Sequence, residues 1–374
     1  MNKPFVKGLA GVIVDETKIS NVEGEFGRLS YRGYEVHELI EKQSFTETVW
    51  LVLFGEFPNP EQNSNLNKFL IENSELTNFE TEILKSIPKE THPMLVLQSL
   101  VPILNLKPKS EITLPFNQAE AIQGLVVCAK IPSLVANFFR LKNGLDLVKN
   151  SDSNSVHENF LFTFNGKKPS EKEIKTLDAT QVLQMEHSFN ASTFAGRITA
   201  STLSPVQSMI SAAIGTLYGK LHGGADEAAL KMAQEIGSPE KAKDFVSNAL
   251  AKKIKIMGMG HREYKTVDPR AKVLKPMAEE LTKGTKFETE FQTLKAVENA
   301  MQVEMEKRQK EIWANVEFYK GAVFHTLGIP PEFFTTMFAM ARSFGYLAHF
   351  LESRLDNKLI RPKAFYTGET IRKI

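Results

Sequence analysis

Three histidines have neighbours that would let a ligand approach them closely. His187 is followed by Ser-Phe-Asn-Ala-Ser-Thr, His222 precedes two glycines, and His261 follows Gly-Met-Gly. Glycine allows close contact between backbone and ligand, and a histidine can bind, donate or accept a proton near neutral pH. Because a single histidine is more often structural, each alone is weak evidence for a binding or acid–base site.

A metal site is the first alternative for three histidines, and the sequence argues against it. No two histidines have the i, i+4 spacing of a zinc-binding helix, and a single cysteine excludes a Cys-rich zinc site and an internal disulfide. That cysteine, Cys128, lies in the apolar run Leu-Val-Val-Cys-Ala and is expected to be a buried hydrophobe rather than a nucleophile. We therefore expect no bound metal.

Three arginines stand in contexts that suit carboxylate binding. Arg270 follows Asp-Pro, Arg342 lies between Ala and Ser, and Arg361 precedes Pro. The planar guanidinium group can pair with a carboxylate through two hydrogen bonds, whereas a solvated surface charge is the alternative for any one arginine. Arg342 is the exception, because it interrupts the apolar helical sequence Phe-Ala-Met-Ala and should be paired or bind a ligand.

Basic residues also surround the Gly-Met-Gly segment. They are Lys252, Lys253, Lys255, Arg262 and Lys265. Positive charge beside exposed backbone N–H groups could bind phosphate, and a solvated helix face is the alternative. The segment is not a dinucleotide fingerprint, because the third glycine is missing.

Helices must position these residues, because helix signals dominate the chain. Ser204 is a suitable N-cap and Pro205 suits the first helical position, and apolar residues recur with helical spacing up to Leu217. Gly223-Gly224 is expected to end that run. Further helices are predicted to begin near Asp226-Glu227, at Asp268-Pro269, and at Pro330-Pro331-Glu332 with a run towards His349.

Strand signals are sparse, so the expected fold class is mainly α. The candidate strands are 11–14 and 19–22, followed by turns at Gly24 and Gly27, and polar loops are predicted over 105–120 and 150–156. A chain of 374 residues exceeds one compact core, so two domains are expected. A net charge of +2 gives no bulk attraction to nucleic acid or membrane. With no signal peptide and no run of ~18 apolar residues, we expect a cytoplasmic protein.

Ordered motifs run along nearly the whole chain. They are Gly-Leu-Ala-Gly-Val from residue 8, Leu-Ser-Tyr-Arg-Gly-Tyr from 29, His-Pro-Met from 92, the three histidine segments, Asn-Val-Glu-Phe-Tyr from 315, and Arg-Pro-Lys-Ala-Phe-Tyr-Thr-Gly from 361. In this order the chain resembles the citrate synthase family, in the short bacterial and archaeal form that includes 2-methylcitrate synthases. The resemblance implies a mostly helical homodimer, with a large domain of 1–223 and 329–374 and a small domain of 224–328 that closes over the substrates.

The resemblance also implies roles for individual residues in condensing acetyl-CoA or propionyl-CoA with oxaloacetate. His222 would stabilise the enol or enolate of the thioester, His261 would polarise the oxaloacetate ketone, and Glu317 would remove the methyl proton. The oxaloacetate-binding residues would be His187, Arg270, Arg342 and the partner subunit's copy of Arg361. Asn190 and Ser192 would not contact the substrates directly, and Ser192 would orient His222. CoA would contact Ile256, Met257, Gly258, Met259, Gly260, Arg262 and Lys265. No metal, flavin or nicotinamide is implied.

Four positions depart from the family pattern. Glu317 stands where the family usually has aspartate, and the extra methylene advances the carboxylate by on the order of 1 Å, a displacement that can cost ~100-fold in rate. The segment Glu186-His187-Ser188 stands where the family usually has Asp-His-Glu, so both neighbours of His187 differ. Lys320 replaces a small residue, and its charge is expected to lower the pKa of Glu317 and weaken it as a base.

These departures leave alternatives to a synthase open. The first is a catalytically impaired homologue with a binding or regulatory role, in which Glu317 merely pairs with a nearby lysine such as Lys320. The second is a lyase that cleaves citryl-CoA. The surviving histidines and arginines oppose the first, because a binding module does not need all of these groups.

Overall fold

The computed structural model describes residues 6–151, 153 and 155–374. Residues 1–5, on which the expectation of no signal peptide partly depends, lie outside the described residues, as do residues 152 and 154 of the predicted polar loop. The described chain is mainly α-helical, as predicted, and contains one three-stranded antiparallel sheet.

The sheet is small and lies near the start of the chain. Its strands are β1 Ser20–Glu23, β2 Arg28–Tyr31 and β3 Tyr34–Glu35, in that spatial order. The predicted strand over 19–22 is confirmed as β1. The strand predicted over 11–14 is wrong. These residues are exposed, with Ile13 90% exposed, and apolar β-formers make no strand without a neighbour to take their backbone hydrogen bonds.

Ten helices precede the turn that carries His222, and six follow it, within the described residues. The first ten are α1 Val36–Lys42, α2 Phe45–Phe54, α3 Pro60–Glu72, α4 Asn78–Ser86, α5 Pro93–Leu100, α6 Gln118–Lys142, α7 Val156–Asn165, α8 Glu171–Met185, α9 Ala191–Ser201 and α10 Val206–Leu217. The remaining six are α11 Ala225–Ile236, α12 Ala242–Ala251, α13 Pro269–Thr282, α14 Glu288–Lys307, α15 Val316–Thr326 and α16 Phe334–Leu355.

Most predicted helix starts are confirmed. Helix α11 begins at Ala225, beside the predicted Asp226, and the Asp268 carboxylate caps α13 by accepting a hydrogen bond from the backbone N–H of Arg270. A single 3-10 turn, Pro331–Phe333, leads into α16. The predicted loop over 105–120 ends at residue 117, because α6 begins at Gln118.

The boundaries of α10 differ from those predicted. Pro205, not Ser204, is the N-cap, because its extended backbone (φ −67°, ψ 158°) keeps it outside the helix. The helix ends at Leu217, and a turn over 218–222 intervenes before the glycines. Gly224 instead caps the start of α11 with a φ of 91°, a left-handed conformation that glycine adopts without strain.

Two long helices form the core. Helix α16 is buried along 334–351 and packs against α2, α6, α8, α9 and α10. Helix α6 carries Cys128, which is buried as predicted, and burial raises the pKa of its thiol to about 12.

Helix α6 bears on the prediction that no apolar run is long enough to cross a membrane. It is the one helix in the described chain that is long and apolar enough to cross a membrane by length and composition. Polar residues such as Lys130 interrupt it, so no continuous apolar run marks it in the sequence. Because 72% of its apolar window is buried inside the fold, it fits the core helix of a folded domain.

The helices of 224–328 pack largely on one another. Helix α15 contacts α11, α13 and α14, and α12 contacts α14. Helix α13 also packs against α1 and α8, which brings the start of α13 towards the end of α8. That contact joins Arg270 to His187 in one site. The division into a large domain and a small domain stays a prediction.

Candidate active site

Arg342 is a buried cation, as its position in an apolar helix predicted. It is 1% exposed, and its Nε donates to the carbonyl oxygen of Gln184 at 2.7 Å. Its Nη1 has no hydrogen-bond partner among the described residues. An unpaired N–H on a buried guanidinium is unfavourable unless a ligand completes it, so the Nη1 group of Arg342 is available to donate to an anionic ligand.

His187 lies between α8 and α9 and faces the start of α13. Its Nε2 is 3.0 Å from the Tyr264 hydroxyl, and its ring centroid is 5.5 Å from that of His261. Burial lowers the pKa of His187 well below its usual value, and the charges of Arg270 and Arg342 lower it further. The imidazole is therefore neutral and can only share a proton through hydrogen bonds.

The unusual neighbours of His187 form a buried support behind it. The carboxylate of Glu186 lies 3.0 Å from both the Ser20 hydroxyl and the His349 Nε2. The backbone N–H of Ser188 donates to the same Ser20 hydroxyl at 2.9 Å. Strand β1 thereby fixes the segment that carries His187, and Ser188 takes part through its backbone.

His261 lies in a turn whose hydrogen bonds decide which ring nitrogen carries its proton. Its Nδ1 accepts from the backbone N–H groups of Glu263 and Tyr264, at 3.1 and 3.2 Å. Burial and the charge of Arg270 lower the pKa of His261 to about 4. A neutral ring that accepts at Nδ1 carries its proton on Nε2. That Nε2 lies 3.3 Å from Arg270 Nη2, so two donors converge where an oxygen atom of a ligand can accept from both.

Arg270 is held by the cap of its own helix. Asp268 pairs with its Nη2 at 2.9 Å and with its Nε at 3.0 Å, and Arg270 is 4% exposed. The other role of Asp268 is to accept from the backbone N–H of Val316 at 3.1 Å. One carboxylate therefore fixes the guanidinium and joins α13 to the start of α15, the helix of Glu317.

His222 lies in the turn between α10 and α11 and is oriented by α9. Its Nε2 is 2.7 Å from the Ser192 hydroxyl, which also contacts the Asn190 side-chain oxygen at 2.7 Å and the Tyr346 hydroxyl at 2.8 Å. Burial, followed by the charge of Arg342, lowers the pKa of His222 to about 4. The ring is therefore neutral at pH 7. The geometry brings Asn190 and Ser192 to His222, and the supporting role that the resemblance implies for them stays a prediction.

The predicted CoA loop lies directly against the segment of Glu317. Gly258 and Gly260 have φ of 74° and 83°, and the backbone N–H of Gly260 donates to Trp313 at 2.7 Å. The backbone N–H of Asn315 donates to the carbonyl oxygen of Gly258 at 2.9 Å, and the side-chain amide of Asn315 donates to the carbonyl oxygen of Gly260 at 2.8 Å. Asn315 also caps α15 by accepting from the N–H of Glu317. The remaining loop residues divide by exposure: Ile256 and Met259 are buried, Met257 is half-buried, and Arg262 and Lys265 are exposed.

Glu317 and Lys320 form the ion pair that the sequence raised as an alternative. Glu317 Oε2 lies 2.5 Å from Lys320 Nζ, and the two side chains are 15% and 0% exposed. Lys320 lowers the pKa of Glu317, as predicted, but the net change is in the opposite direction. Burial raises the pKa of Glu317 by more than the lysine lowers it, and the nearby Asp226 carboxylate raises it further. Glu317 is thus a stronger base than an exposed glutamate.

Arg361 is the one predicted oxaloacetate ligand that the described chain does not bring into this site. It is exposed in the segment after α16, and its guanidinium contacts the Pro362 carbonyl oxygen at 3.2 Å. Its predicted place in a partner subunit's site stays a prediction.

Three contributing residues were missed in the sequence. Tyr264 contacts His187 and stacks near His261, with ring centroids 4.6 Å apart. Asn315 joins the glycine loop to α15, and Phe338 lies between Arg342 and Lys320, 4.8 and 4.4 Å from its ring centroid. In the sequence, the only indication of these three residues is that they lie close to charged or helix-capping residues. Many residues of the protein core do the same, so this indication does not identify them as site residues.

Together, the neutral histidines, the carboxylate with a raised pKa and the buried arginines would suit acid–base chemistry on an anionic substrate. Residues 8–363 match the family model described as "Citrate synthase, C-terminal domain". Citrate synthase 2 of Bacillus subtilis is 39% identical, over 97% of this chain and 95% of that protein. The 2-methylcitrate synthase of Shewanella oneidensis is 35% identical, over 98% and 96%.

A solved structure gives the same result for the fold. It is the ternary complex of carboxymethyl coenzyme A and oxaloacetate with citrate synthase from Thermoplasma acidophilum, which is 28% identical with a TM-score of 0.90 and covers 100% of this chain and 98% of its own. The chain belongs to the citrate synthase family.

Proposed function

We propose that the protein condenses the methyl or methylene carbon of an acyl-CoA with the ketone of oxaloacetate, giving citrate or 2-methylcitrate and free CoA. The observation that carries the proposal is the convergence of His261 Nε2 and Arg270 Nη2 at 3.3 Å, beside a buried Arg342 with an unpaired N–H. These donors suit a keto-dicarboxylate, because two guanidinium groups can bind carboxylates while an imidazole N–H polarises the ketone.

The base and the enolate-stabilising group come from different elements, Glu317 from the first turn of α15 and His222 from the turn between α10 and α11. Glu317 removes a proton from the carbon next to the thioester, and its raised pKa suits that step near neutral pH. His222, neutral and held through Nε2 by Ser192, stabilises the enolate oxygen with its other ring nitrogen. The enolate carbon then attacks the ketone, and His261 donates its Nε2 proton to the new alkoxide. Water finally cleaves the thioester and releases CoA.

The remaining parts of the proposal concern assembly and setting. The chain acts as a homodimer in the cytoplasm, and Arg361 completes the partner subunit's oxaloacetate site. Residues 224–328 close over the substrates and exclude water. CoA lies along the Ile256–Gly260 loop, with Arg262 and Lys265 near its phosphates. No metal or cofactor besides the acyl-CoA takes part, because the histidines and arginines supply the stabilising charges and donors.

Product analysis tests the proposal and identifies the acyl substrate. The purified protein is incubated with oxaloacetate and either acetyl-CoA or propionyl-CoA, and the acids formed are separated and identified by mass. The two acyl groups differ by one methylene, which a pocket discriminates by about 1–3 kcal/mol, so one product should prevail by roughly tenfold or more. Formation of neither acid would contradict the proposal.

The impaired-homologue alternative gains no support from the fold or the relatives. The Glu317–Lys320 contact that motivated it leaves Glu317 with a raised pKa. The lowered pKa of His187, His222 and His261 gives the neutral rings that the proposed reaction uses. The citryl-CoA lyase reading has no observation in its favour.

A further inference from the structure

Lys320 is a fully buried cation directly behind the proposed base. Its Nζ lies 2.5 Å from Glu317 Oε2, 3.2 Å from Asp226 Oδ2 and 2.8 Å from the Gln184 side-chain oxygen. It also lies 4.4 Å from the centroid of the Phe338 ring. The four contacts come from α8, α11, α15 and α16, so the ammonium group is enclosed on several sides.

Two carboxylates share this single cation. Glu317 and Asp226 both approach Lys320, and their side chains are 15% and 1% exposed. Buried carboxylates that lie near each other cannot both ionise easily without a positive charge between them. A buried lysine is equally unfavourable unless it is paired. Each of the three charges therefore depends on the other two.

Resting on the proposed function, we propose that Lys320 is a positioning residue for Glu317, and that Asp226 holds the lysine in place. The ammonium group fixes the carboxylate at the end of the longer glutamate side chain and keeps it ionised, ready to accept the substrate proton. The lysine acts only through Glu317 and touches no reacting atom.

The charges around Glu317 set the direction of each test. Asp226 on α11 and Lys320 on α15 contact one another, Arg270 on α13 also acts on Glu317, and Gln184 on α8 is neutral. On α16, Arg342 faces the Phe338 ring that Lys320 also contacts. Lys320 lowers the pKa of Glu317 and Asp226 raises it, against the larger effect of burial. Removing the charge of Lys320 should therefore raise the pKa of Glu317, and removing the charge of Asp226 should lower it.

The first test replaces the cation by an uncharged side chain of similar length, Lys320→Met. We expect kcat at pH 7 to fall at least about tenfold and to recover as the pH is raised, because a more basic Glu317 is ionised only at higher pH. The pH dependence of kcat and of kcat/KM, with an oxaloacetate-induced rise in Tm as the check of folding, measures this. Higher activity of Lys320→Met at pH 7, or an unmoved acidic limb, would overturn the proposal.

The second test removes the opposing charge with Asp226→Asn, which keeps a hydrogen-bond acceptor for the lysine. The acidic limb should then move to lower pH, the reverse of Lys320→Met. A purely structural role for the cluster would lower activity in both variants without opposite shifts. Movement of both limbs in the same direction would contradict the inference. If Lys320→Met fails to fold, an acidic limb of Asp226→Asn that does not move to lower pH contradicts it alone.

Lys130→Met is a matched control for burying an uncharged chain in place of a lysine. Lys130 is 5% exposed and pairs with Glu80 at 2.7 Å on α6 and α4, outside the candidate site. We expect Lys130→Met to lower Tm while leaving the acidic limb in place. A shift equal to that of Lys320→Met would show that the effect is not specific to Glu317.

A measurement without turnover separates this inference from the proposed function. The infrared carboxyl band of Glu317, identified as the band lost in Glu317→Gln, is titrated in the wild type, Lys320→Met and Asp226→Asn. Opposite displacements of its midpoint support the role of Lys320, even if no condensation occurs and the proposed function fails. Coincident midpoints would remove that role, even in an active synthase.

Discussion

At the scale of single residues, the site depends on burial deciding which groups carry charge. His222 and His261 are neutral because each is buried beside an arginine, and Glu317 holds its proton more tightly because it is buried beside Asp226. These opposite pKa shifts produce neutral donors and a stronger base in the candidate site. The loss of rate on substituting one of these residues should therefore depend on the position and charge of the new side chain, and not only on its residue type.

Shortening the base tests how closely the site is fitted to glutamate. In Glu317→Asp the carboxylate withdraws by on the order of 1 Å and loses its contact with Lys320, so kcat should fall about 100-fold. The KM for oxaloacetate should change little, because Arg270 and Arg342 are untouched. Steady-state kinetics measures both values. A rise in kcat would show instead that the natural glutamate impairs the reaction.

The sequence identified those site residues whose type conflicts with their surroundings. Arg342 was found because a cation interrupts an apolar helix, and the histidines because glycines and serines adjoin them. Tyr264 and Phe338 were missed, because aromatic residues in helices and turns are ordinary core residues until the structure shows what they contact. The lowering effect of Lys320 on the pKa of Glu317 was predicted, but the larger raising effect of burial was missed, because burial cannot be read from a neighbouring lysine.

At the scale of elements, tight turns connect distant segments to the reacting groups. Gly24 in the β1–β2 turn packs on the loop after His261: an added Cβ would lie 2.1 Å from the Glu263 carbonyl oxygen. The backbone N–H of Lys265 donates to the carbonyl oxygen of Gly24 at 3.0 Å. The hairpin therefore supports the turn whose backbone N–H groups fix the His261 ring.

Gly24→Ala should lower kcat although Gly24 contacts no substrate. Its methyl group must displace residue 263, whose N–H donates to His261, and a misplacement near 1 Å can cost about 100-fold. Gly144→Ala is the control, because Gly144 has a φ of 69° but nothing within 4 Å of an added Cβ. It should lose about 1–2 kcal/mol of stability and keep its kcat. Equal kcat values in the two variants would refute the coupling.

Helix starts were predicted well and strand positions less so, for a physical reason. A cap such as Asp268 acts through local hydrogen bonds that the sequence contains. A strand needs a distant partner, which 19–22 has in β2 and 11–14 lacks within the described chain. The packing of α13 against α8, which assembles the site, is likewise not encoded in any local pattern.

At the scale of the whole molecule, buried neutral histidines make the fold sensitive to acid. The pKa values of His222 and His261 lie near 4 in the folded chain, whereas 6.5 is usual for histidine. Between those values the unfolded chain binds protons that the folded chain does not, so the free energy of unfolding falls as the pH falls from 6.5 towards 4. The double variant His222→Gln/His261→Gln should show a shallower fall of Tm over that range. Parallel curves would contradict the neutral state of these histidines.

The proposed dimer predicts that two inactive variants can restore activity when mixed. The substitution Arg361→Ala should damage the site of the partner subunit, and His222→Gln should damage the site of the subunit that carries it. In a mixed dimer both substitutions therefore affect the same site, and the other site is intact. After unfolding and refolding an equal mixture, activity should reach roughly a quarter of the wild-type value, given random pairing. No recovery in a mixture that forms mixed dimers would place Arg361 outside the partner's site.

The central claim is that this site condenses an acyl-CoA with oxaloacetate. The most direct measurement is release of the CoA thiol from acetyl-CoA and, separately, from propionyl-CoA, with and without oxaloacetate, beside His222→Gln. We predict rapid release only with oxaloacetate, and a loss of about 10²–10³-fold in His222→Gln. A folded wild-type protein that binds oxaloacetate but releases no thiol from either acyl-CoA would contradict the account.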